Sequence, residues 1–177
     1  MPTQTQLMDA QAIKLAVARI AHEIAEEIQD LSSVIVIGIP AGGVGMARQL
    51  AGELSSLGGD KVPWGAIDAG MHRDDLASRP NTQLHHTEIP EEIEDREVIL
   101  ADDVIASGRT VRAALDALNS YGRPSRVKLA VLLDRGHREL PIQPDYFGRE
   151  VDAEENETVK VKWLEEDGEE AVYVEQA

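Results

Sequence analysis

VILADDVIASGRT, residues 98–110, reads as a buried strand, two acids, a bend of small residues and the start of a helix. Val98 to Ala101 is a continuous apolar run, the pattern of a strand covered on both faces. Asp102 and Asp103 follow it, and Ala106-Ser107-Gly108-Arg109-Thr110 makes the bend. A helix is expected from Thr110 to Tyr121, with Val111, Ala114, Leu115 and Leu118 on one side. Gly122 ends it and Pro124 comes soon after.

The flanks repeat this grammar. VIVIGI, residues 34–39, is a second buried strand. It runs into the turn Pro40-Ala41-Gly42-Gly43, then a helix from Val44 to Leu57 closed by Gly58-Gly59. Val127 to Leu133 is a third buried strand, and residues 62–71 form a further strand region. Ahead of these, residues 9–30 predict a helix with Asp9 as N-cap and an apolar face of Ile13, Val17, Ile20, Ala21, Ile24 and Ile28. Residues 72–90 are polar and aperiodic, a long loop with a partial hairpin, and 134–149 are loop-like. Strands alternating with helices imply an α/β domain with a parallel sheet, spanning residues 1–177. Ligands of such sheets sit at the carboxyl ends of the strands, where loops 40–43 and 106–110 both fall. The tail, 150–177, carries eleven acids and two lysines, yet TVKVKWL and EAVYVEQ alternate around Asp167-Gly168. That pattern predicts an acidic C-terminal β-hairpin.

Composition excludes several functions. The chain of 177 residues has no cysteine, so disulfides, thiolate metal sites and a cysteine nucleophile are out. A formal charge of −16 is an unfavourable field for nucleic-acid phosphates. No apolar run is long enough to cross a membrane, and MPTQTQLMDA lacks the basic start and apolar core of a secretory signal. A cytoplasmic setting without membrane attachment is expected. His85 and His86 are adjacent, a spacing that does not put two ligands on one helix face.

The bend 106–110 offers backbone N–H groups at a helix start, with Ser107 and Thr110 hydroxyls beside them: an anion cradle. Gly108 lets the chain turn and lets a phosphate approach. Two adjacent carboxylates beside a phosphate site suit sugar hydroxyls. Asp102 and Asp103 with the cradle therefore suit a ribose 5-phosphate taken as one unit. Neither GxxxxGK[ST] nor GxGxxG is present.

The segment resembles the phosphoribosyl diphosphate motif of type I phosphoribosyltransferases. More widely, the chain resembles the pyrimidine operon attenuator/uracil phosphoribosyltransferase family, PyrR, from about Gln11 to Arg149. ARIAHEI (18–24), HRDDL (72–76), VILADDVIASGRTVRAALDAL (98–118), GRPSRVKLAVLLDRGHRELPI (122–142) and DYFG (145–148) carry the resemblance. It implies a type I phosphoribosyltransferase fold with a flexible loop and a small β hood. The implied reaction moves ribose 5-phosphate from phosphoribosyl diphosphate to uracil, giving UMP and diphosphate with Mg²⁺. The implied regulation of pyrimidine genes acts through pyr mRNA, and the implied assembly is a homodimer or homotetramer. Carried over by position, Asp102 and Asp103 contact the ribose hydroxyls and, indirectly, the metal. Ala106, Ser107, Gly108, Arg109 and Thr110 hold the 5-phosphate, and Ala41, Gly42 and Gly43 form the diphosphate loop. Arg73, Asp74 and Asp75 lie in the flexible loop, Arg73 as the candidate cation and Asp74 among the catalytic residues. Arg19, His22, His137 and Arg138 match the RNA face.

The chain also departs from the family. The diphosphate loop usually reads Thr-Arg-Gly, and here it is Ala41-Gly42-Gly43. Met71-His72 replaces Leu-Tyr before Arg-Asp-Asp. On the RNA side, Ala18, Glu27 and Gln143 stand where Thr, Arg and Arg are usual, and Asp152-Ala153-Glu154-Glu155-Asn156 replaces a basic, hydroxylated run. These changes leave a second reading open: a catalytically weak sensor of nucleotide or phosphoribosyl diphosphate that has lost transfer or attenuation. A third is a subunit acting through protein contacts.

Overall fold

The structure is a computed structural model that describes residues 3–74 and 85–177. Its elements in chain order are β1 (Gln4–Met8), α1 (Ala10–Glu27), β2 (Val34–Gly38), α2 (Gly42–Gly58), β3 (Trp64–Ala66), β4 (Glu97–Ile105), α3 (Arg109–Leu118), β5 (Arg126–Asp134), β6 (Tyr146–Glu150), β7 (Glu157–Lys162), α4 (Leu164–Asp167) and β8 (Ala171–Gln176). Short 3₁₀ turns lie at Leu31–Ser33 and Gly70–His72.

Five strands pair in the order β3-β2-β4-β5-β6, and every pairing is parallel. All of β2 is buried, as a central parallel strand must be. The helices divide between the two faces. α1 and α2 pack their aliphatic stripes with Val36, Ile99, Ala101 and Leu132. α3 packs Val111, Ala114 and Leu118 on the other face with Ile35, Leu100 and Val131. A second, antiparallel sheet of order β1-β8-β7 forms the hood. It is fixed to α2 by Trp163, whose indole lies where a Cβ on Gly45 would stand. Arg48 of α2 pairs with Glu165 at 2.9 Å and with Glu166. No helix among the described residues is long and apolar enough to cross a membrane.

Asp9 caps α1 as expected, its Oδ1 accepting the Ala12 N–H at 2.8 Å. Gly59, at φ 78°, closes α2 with its N–H on Ser55. Several boundaries differ from expectation. β4 continues to Ile105, so Asp102 and Asp103 belong to the strand, because the ladder with β5 runs through Asp102↔Val131 and Ile105↔Asp134. α2 starts at Gly42, two residues early. Only Trp64–Ala66 of the 62–71 region is a strand, and among the described residues the partial hairpin is represented by one antiparallel bridge, Ala66 to Glu88. β6 lies inside a segment expected to be loop. The C-terminal strands are joined by one short helical turn, α4, and β1 joins them as a third strand.

Candidate functional site: an acid pair between two amide loops

β2 and β4 are neighbours, so the loops that leave their carboxyl ends lie side by side. The β2–α2 loop rests directly on β4. A Cβ on Gly43 would strike the Ala101 carbonyl, and a Cβ on Gly42 would fall on the Asp103 carboxylate. The Pro40–Ala41 peptide bond is cis. Among the described residues the N–H groups of Ala41 and Gly42 find no acceptor, whereas Gly43 N–H bonds Ile39 O at 2.9 Å.

Among the described residues Asp102 is the one polar side chain buried in the core, 6% exposed. Its Oδ1 accepts the Asp103 N–H at 2.9 Å, and Asp103 Oδ1 accepts the Val104 N–H at 2.7 Å. Neither pairs with a Lys or Arg among the described residues. Burial pushes both carboxyls above the usual range, and for Asp102 the neighbouring Asp103 charge adds to it. Two unneutralised carboxylates held together are costly unless something binds them.

Beyond the pair, the chain bends at Gly108, φ 93°, into the first turn of α3. Arg109 N–H turns back to Ser107 Oγ at 3.2 Å. The N–H groups of Ser107, Gly108 and Thr110 have no acceptor among the described residues. Their carbonyl sides are tied down: Ala106 O accepts from Arg138, Ser107 O from the Glu139 and Leu140 amides, Gly108 O from the Arg112 amide. The result is a bend with N–H groups turned outward at a helix N-terminus, an arrangement suited to an anion.

The root of the long loop touches the same helix. Arg73 Nη1 donates to Thr110 Oγ1 at 2.6 Å, which places this cation beside the first turn of α3. Asp74 bonds the side chains of Arg109 and Arg112, the latter at 3.1 Å. The Arg109 guanidinium is thereby directed outward, to Asp74 and to Glu139 at 2.9 Å. Asp75 lies outside the described residues.

The family model for the phosphoribosyl transferase domain matches residues 3–166. The Bifunctional protein PyrR of Streptomyces coelicolor is 50% identical over 94% of this chain and 86% of its own length. The protein of that name from Halalkalibacterium halodurans is 44% identical over 96% of each chain. The chain belongs to the PyrR family of phosphoribosyltransferases. Solved structures agree on the fold. A hypoxanthine-guanine phosphoribosyltransferase from Bacillus anthracis superposes with a TM-score of 0.71 over 99% of both chains at 18% identity. The hypoxanthine phosphoribosyltransferase of Trypanosoma cruzi gives 0.74 over 97% of this chain and 96% of its own at 17% identity.

For a PyrR family member the proposed RNA face is unevenly available. His22 is exposed on α1, so it does not pack inside this chain. His137 is exposed, with Nε2 2.9 Å from the Ala153 carbonyl. Arg19 is half-exposed but reaches Glu23 at 2.8 Å and the carbonyls of Phe147 and Gly148. Arg138 is turned inward: its side chain is 16% exposed and its N–H groups meet protein acceptors. Glu27 bonds the Tyr146 hydroxyl, and burial together with this carboxylate raises the Tyr146 pKa.

One residue, Asp68, was missed at the sequence level, and the place of a second, Arg135, was not legible there. Asp68 accepts Gly70 N–H at 2.9 Å and His85 N–H at 3.0 Å, pinning both ends of the long loop. Arg135 borders a cavity of about 310 Å³ at the carboxyl ends of β5 and β6, with Gly136, Glu150, Val151 and Asp152. Its Nη2 holds Glu154 O at 2.9 Å, while its buried Nε has no partner among the described residues. The LDRG motif was the available signal, but nothing in it says which way an arginine points.

Proposed function

We propose that this protein transfers ribose 5-phosphate from phosphoribosyl diphosphate to uracil, forming UMP and diphosphate. The observation that carries this reading is the buried Asp102 beside the half-buried Asp103, without a basic partner among the described residues and set between two loops whose amides lack acceptors there. The cradle amides of Ser107, Gly108 and Thr110 take the 5-phosphate, with the α3 dipole behind them. Asp102 and Asp103 accept hydrogen bonds from the 2- and 3-hydroxyls. The Ala41 and Gly42 amides face the diphosphate as a flexible nest, in place of the hydroxyl and guanidinium of relatives.

Transfer needs no nucleophilic side chain. The bond from the anomeric carbon to diphosphate breaks with its electron pair leaving on the diphosphate. The carbon gains oxocarbenium character, and a ring nitrogen of uracil bonds to it and loses its proton. The protein holds the two reactants in line and stabilises the negative charge that develops. The cavity beside Arg135 is the place we assign to the base, since it adjoins the cradle through Arg138.

Mg²⁺ fits this donor set, because two carboxylates and a substrate diphosphate supply only hard oxygens. Among the described residues no group of three or more His, Asp or Glu forms a site by itself. Asp102 and Asp103 would therefore hold the ion jointly with, or through, substrate oxygens. Bound there, it would offset charge on the departing diphosphate.

Purified protein given phosphoribosyl diphosphate, uracil and Mg²⁺ tests the reading by UMP formation. Ligand binding without UMP would leave the sensor reading instead. Failure to bind phosphoribosyl diphosphate or UMP would sink both.

The name of the relatives declares two activities, and identity of 50% over 94% of the chain supports a second one here, regulation through pyr mRNA. His22, His137 and the half-exposed Arg19 are its remaining contacts. Binding of pyr mRNA over unrelated RNA at moderate salt is the test, since a purely electrostatic interaction would fade there. We carry over from the resemblance the cytoplasmic location and the assembly into a homodimer or homotetramer, which sedimentation would check.

A further inference from the structure

We propose that Arg138 is the positioning residue of the phosphate cradle, holding the carbonyl edge of the bend so that its amides face the ligand. The proposal rests on the reading of that bend as the 5-phosphate site. A guanidinium has five N–H donors in a planar fork. Nε donates to Ile142 O at 2.7 Å. Nη1 donates to Ala106 O at 3.0 Å and Asp134 Oδ1 at 2.9 Å. Nη2 donates to Asp134 Oδ2 at 2.7 Å and Gln143 Oε1 at 3.2 Å. Five donors meet five acceptors, so the charge is consumed inside the protein. The Asp134 carboxyl is held below its usual range, chiefly by the hydrogen bond from Arg138.

The geometry of the peptide bond turns this clamp into ligand chemistry. In a trans peptide the carbonyl of one residue and the N–H of the next point in opposite directions. Anchoring Ala106 O on Arg138 therefore directs Ser107 N–H the other way. Anchoring Ser107 O on the Glu139 amide at 3.0 Å and the Leu140 amide at 3.1 Å does the same for Gly108 N–H. Segment 138–142 also packs on the bend, since a Cβ on Gly108 would lie 3.4 Å from Ile142 Cβ and 3.6 Å from Leu140 Cβ. Arg138 reaches both ends of this arrangement, Ala106 and Ile142. A lysine, with three donors and no fork, could not hold all five acceptors.

The test uses the full chain with Arg138→Met and Arg138→Lys. Exchange of the Glu139 and Leu140 amides, which bond the Ser107 carbonyl, is followed without ligand, and calorimetry gives affinities for UMP and for uridine. Arg138→Met is expected to speed exchange at both amides at least about tenfold. It should weaken UMP binding at least about tenfold, the scale of a lost charge-assisted hydrogen bond, with a smaller loss for uridine, whose base cavity Arg138 borders. Arg138→Lys should recover part of both, and it carries the same readouts if the methionine variant fails to fold. Wild-type exchange rates in these variants would overturn the proposal, as would equal losses for UMP and uridine. If the wild-type protein binds no UMP, the transferase reading falls, and the exchange comparison alone still decides the role of Arg138.

Discussion

Gly42 lies so close over Asp103 that a Cβ on it would coincide with the Asp103 carboxylate. The loss of the arginine usual at this position therefore has a steric side as well as an electrostatic one. Without a side chain, the β2–α2 loop can settle onto β4 and enclose the acid pair. Gly42→Ala should force the loop or the carboxylate to shift. Overpacking of this kind costs about 1–3 kcal/mol. For a domain of this size that is a fall in Tm of about 2–4 °C per kcal/mol. An unchanged Tm by calorimetry would mean that the loop lifts freely, and phosphoribosyl diphosphate affinity would then show whether lifting matters.

Asp103→Asn separates binding from stability. Both carboxyls are raised by burial, and the Asp103 charge raises Asp102 further. A carboxyl raised in the folded state resists ionisation there, so its contribution to stability is greatest below the unfolded value, about 3.9, and is lost as pH climbs through the raised folded value. Removing one charge should relieve that loss. The variant is expected to unfold at higher temperature than wild type at neutral pH, with the gain shrinking as pH falls toward 4. It should bind phosphoribosyl diphosphate at least about tenfold more weakly, since a charged acceptor becomes a neutral amide. Equal affinity for the ligand would remove Asp103 from the ribose site.

The fold and the site differ in how much of them the sequence exposes. VILADDVIASGRT and VIVIGIPAGG announce a parallel sheet because a strand buried on both faces must be uniformly apolar, and because small residues mark where backbone meets a ligand. DYFGRE does not announce β6: that edge strand is largely exposed and follows a proline-broken loop, so no hydrophobic period survives. β1 is hidden for a similar reason, since Gln4, Thr5 and Gln6 are all exposed and no apolar alternation survives. At the site, Asp102, Asp103 and the bend were legible as chemistry. The direction of Arg138 was not, because its acceptors are mostly backbone carbonyls and Asp134, and carbonyls carry no sequence signal.

Asp74 is placed by α3 and acts through it. Its ion pairs with Arg109 and Arg112 are partly exposed, and such pairs contribute about 0–1 kcal/mol. Asp74→Ala should leave Tm within about 2 °C of wild type. It should leave the Arg109 side chain held by Glu139 alone and loosen the contact of Arg73 with Thr110. The expected kinetic effect is a raised KM for phosphoribosyl diphosphate with kcat within about threefold of wild type, the pattern of lost uniform binding. A collapse of kcat at unchanged KM would instead put Asp74 among the groups that act on the transition state.

Trp163 couples the acidic hood to the helix that follows the diphosphate loop. Its side chain is 3% exposed, and its indole fills the space above Gly45 left by the missing Cβ. Trp163→Ala would open a cavity between the two sheets, at a cost of about 3–5 kcal/mol. The ion pairs of Arg48 with Glu165 and Glu166 lie beside it and are too exposed to compensate. A Tm lowered by roughly 6–20 °C is expected from the same size relation. The first amides to lose exchange protection should be those of β7 and β8, with β4 and β5 retaining theirs. Uniform loss across both sheets would show that hood and core unfold as one unit and that Trp163 is no hinge between them.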